Sequence, residues 1–341
     1  MTCACDLIGN HPTPTTMNEQ LILMTKRLLL SCVLLSTAHA EWEALPSLPE
    51  PSGGFLCGIQ GSKLVIAGGT NWPDGTKNWL KAVRAYDPTT KKWVKVTDLA
   101  TPVGYGSVMQ RGEVFGFVGG SDGKQALAVV NDFDGQKMNA KAVPALPASL
   151  VLAAGGMMGD TMILAGGTDD AANVAGVQRT TSSLKREGDH WSVAQLADYP
   201  GKGFATAASA VVAGELFVFG GLNWNESSQV VENTTAAYAF DPAKNTWRAI
   251  RSLTTPVRGV TAVTLDDHQI YIAGGYGEAF TTDAVIYDVK TDSYRKAQPL
   301  PYAAMVALVK LDGFVYCLGG EDKMKSRTDK FFRIPVAELL K

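Results

Sequence analysis

An acid and an arginine stand close together in the loop after the last of six regularly spaced glycine pairs. Glu321 directly follows Gly319-Gly320, and Arg327 lies six residues further along the chain. A carboxylate can take up and return a proton, and a guanidinium can hold a ligand carboxylate through two parallel hydrogen bonds. Glu321 and Arg327 are therefore the candidate catalytic residues for proton transfer on an acidic substrate. The alternative is an ordinary salt bridge that only pins the loop.

Two other loops after glycine pairs share an Asn-Trp dipeptide. Asn71 is followed by Trp72, and Asn223 is followed by Trp224. A tryptophan suits the apolar face of a pyranose, and an asparagine pairs with hydroxyl and amide groups. These four residues are candidates for substrate binding. The alternative is that each loop aromatic packs on its own repeat.

The remaining candidates lie in a weaker copy of the last loop and in segments that lead into inner strands. Glu278 is a second candidate for the base, with Thr281 in place of the arginine, or else a pocket-lining or solvated residue. Arg258 opens an inner strand and is a second candidate for an anchor of the substrate carboxylate. Tyr105 and Phe204 occupy comparable points in other repeats, and we expect them to line the channel.

The glycine pairs recur every 45 to 54 residues, which indicates a repeat protein. Each pair follows a short apolar run that predicts a buried strand. An aromatic-Asp turn, a tryptophan and a proline-marked linker come after it in the clearest copies, and this order resembles the Kelch repeat. Such four-stranded units bury their faces only by packing around an axis. The sequence thus predicts an all-β fold, a six-bladed Kelch-type β-propeller. The glycine pairs are Gly68-Gly69, Gly119-Gly120, Gly166-Gly167, Gly220-Gly221, Gly274-Gly275 and Gly319-Gly320.

The ring of repeats has to close, and the last repeat lacks one strand. The segment 331–336 matches only the third strand of a repeat, while residues 41–49 carry a tryptophan and a proline linker with no repeat before them. We therefore predict that the N-terminal strand closes the last blade. Both the loops after the glycine pairs and the proline linkers are then expected to converge on one mouth of the axial channel.

The last loop and the six repeats together resemble the N-acetylneuraminate epimerases, the sialic acid mutarotases of the bacterial periplasm. That family carries a Gly-Glu…Arg-Thr-Asp stretch with the same six-residue separation as Glu321 and Arg327. The resemblance covers about residues 41–337, and it implies that Glu321 is the general base and Arg327 a substrate anchor. In the better-known members this stretch lies in a middle blade. Its place in the last blade here implies the cyclically permuted branch of the family.

The first 40 residues are predicted to be a leader that precedes a propeller over residues 41–341. Residues 24–40 have a basic start, a short apolar run and a small-residue cleavage site ending at Ala40, as in a secretory signal peptide. Residues 1–23 are either an unstructured leader or a stretch that is not translated. This segment predicts export to the periplasm, with no membrane span after cleavage.

Charge, cysteine and histidine content exclude several classes of partner and site. The net charge is −2, which argues against a nucleic-acid partner. Only Cys57 and Cys317 lie beyond the leader, either as two buried thiols or as a disulfide between the first and last blades. We expect no metal and no other cofactor, because the only histidines beyond the leader, His190 and His268, lie in predicted turns.

The resemblance and the candidate residues lead to one function and one alternative. We expect a periplasmic isomerase, a mutarotase that interconverts the α and β anomers of N-acetylneuraminate and aids its uptake and catabolism. Its partner is then a small sugar acid, although a related 2-keto sugar acid would make the same demands. A sialidase is excluded because no Asp-box repeats occur. The alternative is a non-catalytic Kelch propeller that binds a carbohydrate or a protein.

Overall fold

The glycine pairs mark the end of the second strand in six four-stranded antiparallel sheets. Five pairs come directly after that strand, with both glycines at positive φ, a backbone conformation that glycine adopts without a steric penalty. A Cβ on Gly68 would collide with the carbonyl oxygen of Val103, in the linker that leads to the next sheet. The pairs therefore allow the backbones of adjacent sheets to come close together.

The computed structural model describes residues 41–143, 146–147, 150–188 and 190–341. The predicted leader lies outside the described residues and stays a prediction. No helix in the described part of the chain is long and apolar enough to span a membrane.

The six sheets, or blades, each contain four strands that follow one another outward from the axis. Blade 1 is β2-β3-β6-β7, blade 2 is β8-β9-β10-β11, blade 3 is β12-β13-β14-β15, and blade 4 is β17-β18-β21-β22. Blade 5 is β23-β24-β25-β26 and blade 6 is β27-β28-β29-β1, while β4-β5 and β16-β19-β20 form two small accessory sheets. The strands are β1 (Glu43–Ala44), β2 (Leu56–Gln60), β3 (Lys63–Ala67), β4 (Thr70–Asn71), β5 (Asn78–Trp79), β6 (Ala82–Asp87), β7 (Lys92–Asp98), β8 (Ser107–Arg111), β9 (Val114–Val118), β10 (Val129–Phe133), β11 (Met138–Ala142), β12 (Ala154–Met158), β13 (Thr161–Ala165), β14 (Thr181–Glu187), β15 (His190–Gln195), β16 (Phe204–Ala205), β17 (Ala208–Val212), β18 (Glu215–Phe219), β19 (Leu222–Asn225), β20 (Val230–Asn233), β21 (Ala237–Asp241), β22 (Thr246–Ala249), β23 (Thr261–Thr264), β24 (Gln269–Ala273), β25 (Ala284–Asp288), β26 (Ser293–Lys296), β27 (Met305–Leu311), β28 (Phe314–Glu321) and β29 (Phe331–Pro335). Within the described ranges, 3₁₀ turns lie at Pro73–Gly75 and Val174–Gly176, and a short helix, α1, lies at Val336–Leu339.

The innermost strands of the six blades contact one another in cyclic order around the axis. β2 contacts β8, and the contacts continue through β12, β17, β23 and β27 back to β2. The apolar core lies between neighbouring blades rather than along the axis. Trp93 of blade 1, for example, packs against Phe331 of blade 6, at a ring-centroid distance of 5.5 Å. The prediction of an all-β Kelch propeller is confirmed.

Blade 6 is completed by the N-terminal strand, as predicted. Glu43 pairs with Arg333, and Ala44 pairs with Phe332. An ion pair at 2.6 Å between the Glu43 Oε2 and Arg333 Nε atoms reinforces this closure. Leu48 is buried in the apolar cluster shared by blades 6 and 1. The segment that closes the ring thus adds both backbone hydrogen bonds and core side chains.

Replacing Leu48 with alanine is expected to lower the free energy of unfolding by about 2–5 kcal/mol, because it leaves a cavity in the closing core. Leu48 is 3% exposed, whereas Met324 is 83% exposed and is a matched control of similar size. Urea unfolding should show a lower midpoint for Leu48→Ala with an unchanged slope, and Met324→Ala should stay near the parent. Equal midpoints for the two variants would contradict the closing role.

Cys57 and Cys317 are free and buried. Burial raises the pKa of the Cys317 thiol to about 12, and it raises the pKa of Cys57 as well. Both thiols therefore stay protonated at neutral pH and behave as small apolar side chains. Of the two arrangements the sequence left open, the pair of buried thiols is the one found.

Candidate functional site

One end of the axial channel opens into a cavity of about 260 Å³. Linker residues of five blades and the start of β27 in blade 6 line it, and among the glycine-pair loops in the described part of the chain only the last contributes side chains. A larger cavity of about 590 Å³ shares several of these wall residues and continues along the axis between the innermost strands. The linker residues at the mouth are Gly54, Tyr105, Leu152, Thr206 and Gly259, the residue from β27 is Met305, and the loop residues are Gly320, Glu321 and Arg327.

Backbone hydrogen bonds tie the mouth residues of five successive blades together. The amide of Tyr105 donates to the Gly54 oxygen at 2.8 Å, and the amide of Leu152 donates to the Tyr105 oxygen at the same distance. The series continues through Thr206 to Gly259, and all five residues have φ between 55° and 65°. Residues other than glycine are strained in this left-handed backbone conformation. Tyr105 is thus held at the mouth by a backbone conformation that few tyrosines adopt.

Glu321 reaches the mouth because β28 does not stop at its glycine pair. The strand runs through Gly319-Gly320, and Glu321 pairs with Met305 at the start of β27. A β-bulge between Met305 and Ala307 shifts the register there, and bulges commonly redirect side chains next to functional sites. The Glu321 side chain is 30% exposed and lines the cavity.

The loop that follows Glu321 folds back on itself and returns Arg327 to the same point. The amide of Thr328 donates to the Gly320 oxygen at 3.0 Å and closes the loop. The same closing hydrogen bond recurs in the other five blades, to the second glycine of each pair. Arg327 therefore occupies a defined place in the repeat, the residue before the closing amide, which is Trp79 in blade 1 and Asn233 in blade 4.

Arg327 is buried, with 4% of its side chain exposed, and it contacts three blades. Its Nη1 lies 2.9 Å from Glu321 Oε2 and donates to the Ser326 oxygen at 2.7 Å. Its Nη2 donates to Thr70 Oγ1 at 3.3 Å and to the Tyr105 hydroxyl at 3.2 Å. Its Nε is buried without a partner. A substrate carboxylate that bound both terminal nitrogens would have to displace groups of the protein.

Tyr105 lies on the other side of the guanidinium from Glu321. Its hydroxyl shares a hydrogen bond of 3.0 Å with Thr70 Oγ1, and its ring meets Trp79 edge-on at 5.5 Å. The Lys77 ammonium lies 4.7 Å from the centre of the same ring. Burial raises the pKa of Tyr105, but the charges of Lys77 and Arg327 outweigh it, so the pKa lies below that of a free tyrosine.

Two glycines of blade 1 make room for these side chains. A Cβ on Gly53 would lie 2.7 Å from Arg327 Cδ and 3.0 Å from the Cα of Gly320. A Cβ on Gly54 would collide with the ring of Tyr105. The site is therefore built at the junction of blades 6, 1 and 2. It combines a partly exposed carboxylate and a phenol, two groups that can exchange protons, on opposite sides of one buried cation.

Two of the predicted binding residues lie in the loop of blade 1, near the site but not on the cavity wall. Asn71 donates from Nδ2 to Glu50 Oε2 at 3.3 Å, and its Oδ1 is buried without a partner. The indole Nε1 of Trp72 is also buried without a partner. These groups are held against their own blade.

The candidates in blades 4 and 5 lie elsewhere. Asn223 donates to the Gly203 oxygen at 2.9 Å, and Trp224 is half-buried in β19. Arg258 donates to Asn233 Oδ1 at 3.0 Å and lies over the Tyr276 ring, so it is already engaged between blades 4 and 5. Glu278 is exposed on the surface of its loop.

Two sequence-based alignments of this region are corrected by the hydrogen-bond pattern. The residue that pairs at the mouth as Glu321 does is Tyr276, so Glu278 lies two positions too far along to be its counterpart. The counterpart of Arg327 is Phe280 rather than Thr281, because the amide of Thr281 closes that loop. The loops after the glycine pairs differ in length between blades 5 and 6, so matching the two loops by sequence alone paired the wrong residues.

Phe204 does not line the channel. It is 1% exposed, and its ring packs 4.4 Å from Tyr199 in the core between blades 3 and 4. The residue of blade 4 at the mouth is instead Thr206, two positions later. Sequence analysis also missed Thr70 and Lys77. Thr70 directly follows a glycine pair, as Glu321 does, but no sequence pattern singles out Lys77.

Sequence comparisons place the chain among known proteins. The sequence model of the N-acetylneuraminate epimerase family matches residues 143–298, and that of the Kelch motif matches residues 51–100. The N-acetylneuraminate epimerase of Haemophilus influenzae (strain PittEE) is 31% identical over 139 residues, which are 40% of this chain and 34% of that protein. The enzyme of Yersinia pestis (strain Pestoides F) is 27% identical over 197 residues, 45% of this chain and 49% of that protein.

Other relatives share the repeat or the fold alone. Kelch-like protein 40a of Danio rerio is 31% identical over 116 residues, 33% of this chain and 19% of that protein. The solved structure of YjhT has a TM-score of 0.66 and 16% identity, and the match covers 75% of this chain and 87% of that chain. This chain spans at most about half the length of the curated relatives named here.

These matches are to the epimerase family as a whole. They do not test whether the chain belongs to the cyclically permuted branch, which stays a prediction. The segment matched by the epimerase model ends before Glu321 and Arg327, so the roles of these two residues do not follow from it. Over residues 143–298 the chain is similar to the N-acetylneuraminate epimerase family, and it combines this match with Kelch repeats and a propeller fold.

Proposed function

We propose that the protein is a mutarotase that interconverts the α and β anomers of N-acetylneuraminate. The observation that carries the proposal is the ion pair of 2.9 Å between Glu321 and Arg327 at the mouth of the channel. The proposal also draws on the match of residues 143–298 to the epimerase family. The whole activity belongs to the proposal, because the match covers only part of the chain.

Interconversion of the two anomers requires proton transfer to and from the oxygens of a hemiketal. A base removes the proton of the anomeric hydroxyl, the bond from the anomeric carbon to the ring oxygen breaks, and the ring oxygen takes up a proton. The bond between C2 and C3 of the open-chain keto acid then rotates, and the ring closes on the other face of the carbonyl. Glu321 is the group we assign to the anomeric hydroxyl, because its partly exposed carboxylate lines the cavity.

Arg327 keeps that carboxylate in place. Its side chain is buried, and an ion pair in such a setting fixes geometry more strongly than one in solvent. The mouth cavity of about 260 Å³ is open to solvent, and a sugar bound there would extend outward over the blade linkers. Glu321 balances the charge of Arg327, so the charge that favours an acidic sugar near this mouth is that of Lys77, whose ammonium lies 4.7 Å from the centre of the Tyr105 ring.

The predicted signal peptide supports a location in the periplasm. There the enzyme would act on sialic acid released outside the cell in the α form, before the sugar is taken up and broken down. The alternative function is a non-catalytic Kelch propeller that binds a carbohydrate or a protein.

The test is the rate of anomer exchange in freshly released α-N-acetylneuraminate, followed by proton NMR with protein at micromolar concentration or below. We expect the α signal to decay faster than in buffer, in proportion to protein concentration. Heat-denatured protein controls for buffer catalysis. An exchange rate equal to that in buffer would contradict the proposal that the protein is a mutarotase. Saturable binding of the sugar without faster exchange would favour the binding propeller.

A further inference from the structure

Ring opening of a hemiketal needs a second proton-transfer group. While one group takes the proton of the anomeric hydroxyl, another has to protonate the ring oxygen, which lies on a different side of the same carbon. Glu321 is the one carboxylate among the described residues on the wall of the mouth cavity. The inference below rests on the proposed function and concerns the second group.

Tyr105 is the other side chain on that wall that carries an exchangeable proton next to Arg327. Its hydroxyl accepts from Arg327 Nη2 at 3.2 Å, while Nη1 of the same guanidinium lies 2.9 Å from Glu321. The guanidinium is planar and rigid, so it fixes the distance and the angle between the carboxylate and the phenol. A shared positioning group of this kind is what two-group acid–base catalysis requires.

The surroundings of Tyr105 favour loss of its proton. The charged groups that face its ring and hydroxyl among the described residues are Lys77, from the loop before β5, and Arg327, from the last loop. Thr70 adds a hydrogen bond to the oxygen. Burial alone raises the pKa of this phenol, but the two cations bring it below the ordinary value, closer to the range in which proton transfer is efficient.

The backbone of Tyr105, whose conformation recurs in the linkers of other blades, fixes its side chain at the mouth. Its φ is 63°, and the blade-to-blade hydrogen bonds through Gly54 and Leu152 keep it there. A Cβ on Gly54 would occupy the place of the Tyr105 ring, so the neighbouring blade is shaped around this side chain.

We propose that Tyr105 is the second catalytic residue, the acid that protonates the ring oxygen, and that Lys77 is the positioning residue that keeps it a strong enough acid. In ring opening, Glu321 takes the proton of the anomeric hydroxyl as the C2–O bond of the ring breaks. The bonding pair moves to the ring oxygen, which takes the proton of Tyr105. In ring closure the former ring oxygen attacks C2 and returns its proton to the tyrosinate, while the carbonyl oxygen takes the proton from Glu321. Both side chains end the cycle in their starting states.

The first test is Tyr105→Phe, which keeps the ring and removes the hydroxyl. We expect kcat for anomer exchange to fall by about 10²–10⁴-fold, the usual contribution of one proton-transfer group. Tyr276→Phe is the matched control, since Tyr276 lies in the corresponding loop of blade 5 under Arg258 and does not line the wall of the mouth cavity. Its kcat should stay within about twofold of the parent, and equal losses in both variants would overturn the assignment.

The second test uses the pH profile, which a purely structural role would not move. The acid must be protonated to open the ring, so the enzymatic rate, corrected for the buffer rate, should fall as pH rises through the pKa of Tyr105. Lys77→Met removes a cation that lowers this pKa. We therefore expect the alkaline fall to move to higher pH, and Lys77→Arg to restore it. An alkaline limb that stays in place in Lys77→Met would overturn the role of Lys77.

The outcomes separate this inference from the proposed function. If the parent protein exchanges anomers but Tyr105→Phe keeps full activity, only the assignment of the acid fails. If the parent protein does not exchange anomers, the proposed function is wrong, and the role of Tyr105 is wrong as well. Absorbance titration of tyrosinate in the parent and in Tyr105→Phe gives a further check, because the earliest-ionising tyrosine should be absent from the variant.

Discussion

Replacing Glu321 with glutamine is expected to lower kcat for anomer exchange by about 10²–10⁴-fold with little change in KM. Glutamine keeps the size and the acceptor oxygen of the side chain but cannot take up a proton at neutral pH. The amide oxygen can still accept from Arg327 and the side chain is 30% exposed at the mouth cavity, so the variant should remain folded but less stable than the parent, because the buried guanidinium loses its counter-charge. The measurement is the NMR exchange rate at several sugar concentrations, with the unfolding midpoint as a check of stability.

Glu278→Gln is the matched control for this prediction. Glu278 follows the corresponding glycine pair in blade 5, but it is exposed and lies two positions beyond the counterpart of Glu321. Its substitution should leave kcat within about twofold of the parent, as is usual for exposed residues away from a site. If Glu278→Gln lost activity and Glu321→Gln did not, the base would lie in blade 5 and our assignment would be wrong.

The scaffold was predictable because its signals are local and repeat along the chain. Each glycine pair ends a strand, and the orphan segment at residues 41–49 completes blade 6 through the pairing of Glu43 with Arg333. Repetition averages out the ambiguity of any single short apolar run. Glu321 was predictable for the same reason, since it directly follows a glycine pair that recurs.

The partners of Glu321 were harder to predict because they come from other blades. Thr70 and Tyr105 meet Arg327 across more than 200 residues of chain, and no pattern near Arg327 points to either one. Tyr105 was expected on the channel wall, but its contact with the guanidinium depends on Gly53 and Gly54 being small. Lys77 lies inside the loop of blade 1, at a point that no residue pattern in the other loops marks.

Phe204 shows a different limit of sequence analysis. The sequence predicts it on the channel wall, because it occupies a point in its repeat comparable to that of Arg258, yet its ring lies in the core against Tyr199. In the linkers the backbone has left-handed positions, such as Thr206 at φ 55°, that turn the chain within two residues. A one- or two-residue offset then decides whether a side chain faces the axis or the core.

Arg327 is the residue for which sequence and structure suggest different roles. The family resemblance implies that it anchors the substrate, but in the structure both of its terminal nitrogens are engaged with protein groups. An arginine that anchors the substrate carboxylate should mainly affect KM. An arginine that fixes the positions of the Glu321 carboxylate and the Tyr105 hydroxyl relative to each other should mainly affect kcat.

Gly53→Ala is expected to lower kcat by about 10²-fold, because it displaces Arg327 without removing its charge. The added methyl group would lie 2.7 Å from Arg327 Cδ and 3.0 Å from the backbone of Gly320, so the arginine stem has to move. Gly277→Ala is the matched control, since its nearest neighbour would lie at an ordinary 3.5 Å. Arg327→Lys should behave like Gly53→Ala, because an ammonium cannot hold Glu321 and Tyr105 at once. If both variants instead raised KM and left kcat unchanged, Arg327 would be the substrate anchor. The relative positions of the carboxylate and the phenol would then depend on other contacts.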